Sequence, residues 1–278
     1  MNLPYVLPRL VRHFMPERLT RFLLLRSVVI RPGLETSEPE SAVARYVDIL
    51  AQRGQSIKGT RVLLFGYGGR FDVGLGLLEA GASHVVLCER FAPPDDSHNA
   101  ALMTRYGKYL SEKDGRPRPR SDCMTLLQAD VRDLSPSDDL PACHYVFSNS
   151  VYEHVDDADG ITGGLARLTQ QGGLHIHYVD LRDHFFKYPF QMLTYSSNAW
   201  YGWLNPTSNH NRLRLWDYRA IFQKYFEDVD IEVLARDEAA FERVRGRVRP
   251  EFLSGNLQDD SVTLIRVLAG RPRAQLRP

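Results

Sequence analysis

The residues Val62-Leu-Leu-Phe-Gly-Tyr-Gly-Gly-Arg-Phe-Asp-Val-Gly-Leu-Gly-Leu-Leu-Glu-Ala-Gly-Ala82, followed directly by Ser83-His-Val-Val-Leu-Cys-Glu89, leave this chain few folds to choose from. Val62–Phe65 is a short apolar run that reads as a buried strand, and Gly66, Gly68 and Gly69 read as a turn. Val73–Ala80 reads as a helix, and Val85–Cys88 as a second buried strand that ends in an acid. Together they form one β-turn-α-β unit with a ligand site in its turn. Backbone can approach a ligand closely at the glycines, and Glu89 is placed to bind the two hydroxyls of a ribose. The ligand expected is one that contains adenosine.

The pattern repeats downstream. A helix is predicted over 37–54, with Ala42, Tyr46, Ile49 and Leu50 on one face, and another over 97–113. The polar stretch Asp114-Gly-Arg-Pro-Arg-Pro-Arg120 reads as an exposed loop. Further strands are predicted over 124–128, 144–148, 174–179, 229–234 and 262–268, and further helices over 160–169 and 216–226. The glycines of Gln170-Gln-Gly-Gly173 are expected to end the 160–169 helix in the left-handed conformation. Such alternation implies an α/β fold with a doubly wound, mostly parallel, seven-stranded Rossmann-like sheet. An N-terminal helical extension (1–58) precedes a domain over 59–270, and a basic tail (271–278) follows it. The stretch 183–215 is far longer than a connecting loop of about 2–6 residues and reads as a substrate cap inserted after strand five.

A length of 278 residues with 43% hydrophobic and 25% charged residues suits a globular protein. A formal net charge of +1 argues against a nucleic-acid partner. Cys88, Cys123 and Cys143 show no CxxC or Cys/His ligand spacing, so a reduced, cytoplasmic chain without a metal is expected. Residues 1–31 hold six arginines against one acid, Glu17. Leu7, Leu10, Val11 and Phe14 recur there at helical spacing, and a second helix is expected from Pro16. These helices would cover the active site, form a homodimer contact or, as a basic amphipathic segment over 1–30, rest weakly on a membrane surface.

Four segments, taken in order, resemble the class I S-adenosylmethionine-dependent methyltransferases over about residues 60–270. The turn Phe65-Gly-Tyr-Gly-Gly69 is similar to the first motif of that family, and Glu89 to its ribose-binding acid. Gln128-Ala-Asp-Val-Arg-Asp-Leu134 resembles the segment whose acid, here Asp130, meets the adenine amino group, with Val131 against the ring. Tyr145-Val-Phe-Ser-Asn-Ser-Val-Tyr-Glu-His-Val155 is similar to the strand-four signature, and Gly163–Leu174 to the helix-turn-strand unit that follows it. Two positions depart from the pattern. Leu64 stands where the family carries an acid, and the third glycine of the first motif is displaced, which leaves Asp72 as a candidate for that acid's role. A nicotinamide-binding G-x-G-x-x-G turn would need glycine at position 71, which is Phe71.

The resemblance implies S-adenosylmethionine as cofactor, held by Gly66, Tyr67, Gly68, Asp72, Glu89, Arg90, Asp130, Val131, Ser148 and Asn149. It implies methyl transfer to an acceptor, for which a small molecule or a saccharide is expected and oxygen is preferred over nitrogen. The alternatives are a non-catalytic module of the same fold and an enzyme that uses the cofactor for other chemistry. His184 is the first candidate base, oriented by Asp180 and Asp183, and His154 the second. His175 and His177 alternate with apolar residues and are expected to be satisfied core histidines. Within the cap, Tyr195, Asn198, Trp200 and His210 are candidate acceptor contacts, because aromatic faces between amide groups suit a sugar or polar ring. Arg182, Arg212 and Arg214 suit an acceptor phosphate or carboxylate, with an exposed, solvated position as the default expectation for Arg214.

Overall fold

The computed structural model describes residues 2–14, 38–185, 187–205 and 210–273. Helix α1 (Leu3–His13) comes first, and α2 (Pro39–Gln52) leads into the sheet. The glycine-rich unit is realised as β1 (Arg61–Phe65), α3 (Asp72–Glu79) and β2 (His84–Cys88). There follow α4 (Asp96–Tyr106), β3 (Leu110–Lys113), β4 (Arg116–Pro119), β5 (Met124–Leu127) and β6 (Cys143–Asn149). The chain continues with α5 (Ala158–Arg167), β7 (Thr169–Asp180), α6 (Leu215–Tyr225), β8 (Phe226–Arg236), α7 (Glu238–Glu242) and β9 (Val262–Pro272).

Seven strands form one sheet in the order β5-β2-β1-β6-β7-β9-β8, in which β9 runs antiparallel between β7 and β8. Successive residues of a strand face opposite sides, and the two cores follow from that alternation. Val62, Leu64, Val85 and Leu87 pack under α2, α3 and α4, while Leu63, Phe65, Val86 and Val146 pack under α5 and α6. Leu64 is 1% exposed and lies among Val62, Phe71 and Val73, so an acid there would be buried without water.

Three expectations change. Residues 110–119 form a hairpin, β3–β4, in place of the end of a helix and a loop. Asp114 and Gly115 sit at φ 54° and 69°, the two left-handed residues that a tight two-residue hairpin turn requires. The α5 helix ends at Leu168 with φ −78°, without a left-handed residue, and Gly172 and Gly173 lie inside β7. Gly173 is needed there because a Cβ would meet the His144 carbonyl at 2.8 Å. In α1, the face that packs inward is Tyr5 and Val6, whereas Leu3, Leu7, Val11 and Phe14 are exposed. The helix expected from Pro16 lies outside the described residues.

A third apolar cluster stands apart from the sheet. Tyr5 and Val6 of α1 join Phe190, Met192, Leu193, Trp200 and Leu204 of the 183–215 segment, together with Phe241, Val248 and Phe252 from the β8–β9 connection. The segment after β7 is thus built together with α1 and the β8–β9 connection. Its return is pinned to the turn after β6, where the Asn211 side-chain amide donates to the carbonyls of Tyr152 (2.7 Å) and Val155 (3.0 Å).

Candidate active site

The glycine turn after β1 is shaped by contacts that only glycine allows. Gly66, Gly68 and Gly69 all have positive φ, at 76°, 64° and 85°. A Cβ on Gly66 would collide with Val151, and one on Gly69 with the Pro93 carbonyl. Asn99 of α4, fully buried, braces the turn. Its amide nitrogen donates to the Gly69 carbonyl (2.9 Å), and its side-chain oxygen accepts from the Phe71 N–H (3.0 Å). A polar residue inside a helix carries no such signal in sequence, because the turn it serves lies 30 residues away.

A cavity of about 250 Å³ opens at the carboxyl ends of β1, β2, β5 and β6. Gly66, Glu89, Arg90, Asp130, Val131 and His154 all line it, with Ser150 and Val151 of the turn after β6, as do Phe91 and Ile161, which sequence reasoning did not single out. Ser150 adopts φ 54°, a strained conformation for a non-glycine residue, and its N–H donates to the Tyr178 carbonyl at 2.9 Å. Asp130 is gripped by Arg132 (2.6 Å) and by Arg90 (2.6 Å). The hydrogen bonds from Arg132 hold its carboxyl down to about 2. A larger depression of about 670 Å³ lies among Arg53, Gly172 and Asp230, at the starts of β7 and β8. Doubly wound sheets bind ligands at the opposite edge.

Tyr67, Gly68, Asp72, Ser148 and Asn149 are not among the residues that line the cavity. Asp72 opens α3 and pairs with His98 at 2.7 Å. Burial and the charge of Glu89 push the Tyr67 hydroxyl up to about 12. Ser148 is fully buried and faces the second core, where it begins a relay through the two core histidines. The Thr169 hydroxyl donates to the Leu165 carbonyl (2.7 Å), so it must accept from His175 Nε2 (2.8 Å). His175 Nδ1 then accepts from His177 Nε2 (3.0 Å), and His177 Nδ1 from the Ser148 hydroxyl (2.7 Å). Both rings are neutral, since burial holds His177 down to about 3 and His175 well below its ordinary value.

At the cavity wall that His154 forms, three histidines meet edge to face. Ring centroids are 4.6 Å apart for His154 and His184, 4.8 Å for His184 and His210, and 5.6 Å for His154 and His210. Burial, and then the neighbouring rings of His210 and His154, hold His184 down to about 2. Glu153, buried beneath them, is pushed well above the usual carboxylate range, first by burial. The backbone amides of Glu153 itself and Asp180 pull in the opposite direction, yet neither carboxylate oxygen completes a hydrogen bond.

The carboxylates that flank His184 in sequence have cationic partners. Asp180 is bound in bidentate fashion by Arg182 (2.6 and 2.9 Å), and Asp183 accepts hydrogen bonds from Tyr5 and Arg9. Trp200 is fully buried, with Nε1 donating to the His210 carbonyl at 3.1 Å, and Asn198 is exposed. Tyr195 stacks on Tyr5 with centroids 5.8 Å apart. Arg212 donates to the Tyr195 carbonyl (2.6 Å) and to Ser197 (2.9 Å). Arg214, expected at the surface, is instead fully buried. It donates to the carbonyls of Leu181 (3.2 Å), Asp260 (2.9 Å) and Val262 (2.9 Å), and burial pulls it down to about 10.

No protein-family model matches the sequence, and no curated protein matches it. Among solved structures, the chain is similar to a protein from Galdieria sulphuraria assigned as a sarcosine dimethylglycine methyltransferase. Identity is 13%, coverage 84% of this chain and 85% of that one, and the TM-score 0.50. It is also similar to phosphoethanolamine N-methyltransferase 2 of Haemonchus contortus, crystallised with phosphomonomethylethanolamine and S-adenosylhomocysteine. There identity is 18%, coverage 83% and 53%, and the TM-score 0.49. A protein from Bacillus halodurans assigned as a methyltransferase matches at 14% identity, with coverage 84% and 100% and a TM-score of 0.47. The fold of this chain is therefore that of the Rossmann-like methyltransferases.

Proposed function

We propose that this protein is an S-adenosylmethionine-dependent methyltransferase that acts on a small-molecule or saccharide acceptor, with oxygen preferred over nitrogen. One observation carries the reading. Gly66, Glu89, Asp130 and Val131, which belong to three separate segments of sequence, line one cavity at the carboxyl edge of the sheet. In this reading Gly66 lets backbone approach the cofactor, Glu89 accepts from the ribose hydroxyls, and Val131 and Phe91 flank the adenine beside Asp130 and Arg90. Tyr67, Gly68, Asp72, Ser148 and Asn149 hold the shape of that pocket from behind.

The acceptor would lie on the His154 side, under residues 187–205. Methyl transfer from a sulfonium is an in-line displacement, so holding the acceptor atom in line does most of the work. A hydroxyl acceptor must also lose a proton, for which His154, on the cavity wall, is the candidate base. His184, held down to about 2, is too weak a base for that step, and Asp180 and Arg182 lie at the border of the acceptor space. Tyr195 and Asn198 belong to the outer rim of that space, and Trp200 anchors it. The exposed ridge Leu3, Leu7, Val11 and Phe14 would be the contact for a second copy or a membrane surface. Among the described residues, no helix is long and apolar enough to cross a membrane.

Titration calorimetry with S-adenosylhomocysteine tests the cofactor. Glu89→Ala should weaken binding roughly 10–100-fold, the worth of hydrogen bonds to a charged group. Lack of binding at millimolar concentration would leave the non-catalytic module as the reading, which the buried Leu64 favours. Product mass then separates methyl transfer, a gain of one methylene unit, from other uses of the cofactor.

A further inference from the structure

Sequence spacing suggests no metal site, because the residues concerned are two neighbours on one loop and a third from another. The fold brings them together. Glu153 and His154 lie in the short 3-10 turn after β6, and His184 follows the end of β7. Their candidate donor atoms all lie within 4.8 Å of one another. We propose that Glu153, His154 and His184 form a binding site for a divalent transition-metal ion of the zinc or ferrous class.

Two further observations point to an ion. Glu153 is 1% exposed, and both its carboxylate oxygens are buried without a hydrogen-bond partner. A buried carboxylate left in this state is costly unless a proton or a cation satisfies it. His210, whose ring lies 4.8 Å from that of His184, donates from Nδ1 to the Asn211 carbonyl at 2.5 Å. That bond puts the lone pair on Nε2, which is buried and also has no partner. A ring N–H held by a backbone carbonyl is how metal-binding histidines are usually oriented. The site thus offers one carboxylate and two imidazoles, with a third imidazole beside them.

The donor set selects the ion. Two imidazoles and one carboxylate suit zinc or iron(II), whereas magnesium and calcium call for oxygen ligands throughout. A tetrahedral zinc with bonds of about 2.0–2.1 Å holds its donors roughly 3.3 Å apart, a separation that side-chain rotation brings within reach. Three protein ligands leave a coordination position open for an exogenous oxygen or nitrogen donor. His154 also lines the cofactor cavity, which gives the ion a way in.

The site does not depend on the methyltransferase reading, and the test keeps the two apart. Untagged protein stripped with a chelator is titrated calorimetrically with zinc, and separately with S-adenosylhomocysteine. One equivalent of zinc should bind with micromolar affinity or better, and Glu153→Gln and His184→Ala should each weaken it roughly 100-fold or more. Should either variant fail to fold, electron paramagnetic resonance of the copper(II)-loaded wild-type protein should show superhyperfine coupling from two imidazole nitrogens. Absence of stoichiometric zinc binding, unchanged affinity in folded variants, or a copper spectrum without nitrogen coupling would overturn the site. Loss of zinc binding alone, with S-adenosylhomocysteine still bound, would leave the proposed function standing.

Discussion

The hydroxyl of Tyr5, in the first helix, donates to the carboxylate of Asp183, one residue before His184. Arg9 binds the same carboxylate and lies over the Tyr5 and Trp200 rings at 4.7 and 4.8 Å. The N-terminal helix is thereby tied to the chain at the mouth of the candidate active site. Asp183 is 1% exposed, so each donor matters. Tyr5→Phe should cost about 1–3 kcal/mol, the penalty for depriving a buried charged group of a partner. Thermal denaturation should show a drop of several degrees, and limited proteolysis should cut first within 183–215.

The glycine turn separates two physical effects. Gly68→Ala meets open space and should cost only about 1–2 kcal/mol for its left-handed backbone. Gly66→Ala adds a collision with Val151 and should cost more. Gly66→Ala combined with Val151→Ala should recover the collision but not the backbone cost. Denaturant midpoints of the three variants check that order, with S-adenosylhomocysteine affinity following it.

Asp130 makes acid stability a readout of the cavity. Its folded value of about 2 lies below the ~3.9 of an unfolded aspartate, because Arg132 and Arg90 favour the charged form. As pH falls, the unfolded chain takes up the proton first. The stabilisation is therefore complete above pH ~4 and is lost between ~4 and 2. Unfolding free energy measured across that window should fall less steeply in Asp130→Asn than in the wild type.

Arg214 ties the 183–215 segment to the end of β7 and the start of β9 through the carbonyls of Leu181, Asp260 and Val262. Arg214→Met keeps the packing against Phe190 and removes every side-chain donor, which should cost about 1–3 kcal/mol for each buried carbonyl left unsatisfied. Arg214→Lys should recover little, since one ammonium lacks the planar spread of a guanidinium. Chemical denaturation of both variants checks this.

The exposed ridge of α1 offers a last test. Leu7→Gln with Phe14→Ser leaves Tyr5 and Arg9 in place, unlike deletion of residues 1–30. If the ridge meets a membrane, flotation with anionic liposomes should be lost in this double variant. If it meets a second copy, the sedimentation coefficient should fall to that of a monomer.

The strands, the helices and the glycine turn were legible in sequence because each is a local statement. Apolar runs of four or five residues make Val62–Phe65 and Val85–Cys88 buried strands wherever they occur, and left-handed backbone restricts Gly66 to glycine. Even the 110–119 hairpin carries its local signal in Asp114-Gly115, although the polar, proline-rich residues around that pair resemble a loop. What only the tertiary structure decided are relationships between distant residues whose types are individually common. Asn99 braces a turn far from it in sequence, Arg214 is drawn inside by three carbonyls, and the apolar stripe of α1 turns outward because Tyr5 has a buried partner in Asp183. The meeting of Glu153, His154 and His184 is of the same kind. A sequence specifies which side chains a strand end carries. Which other strand ends stand beside it depends on the order in which the sheet is wound, and that order is settled by packing over the whole chain.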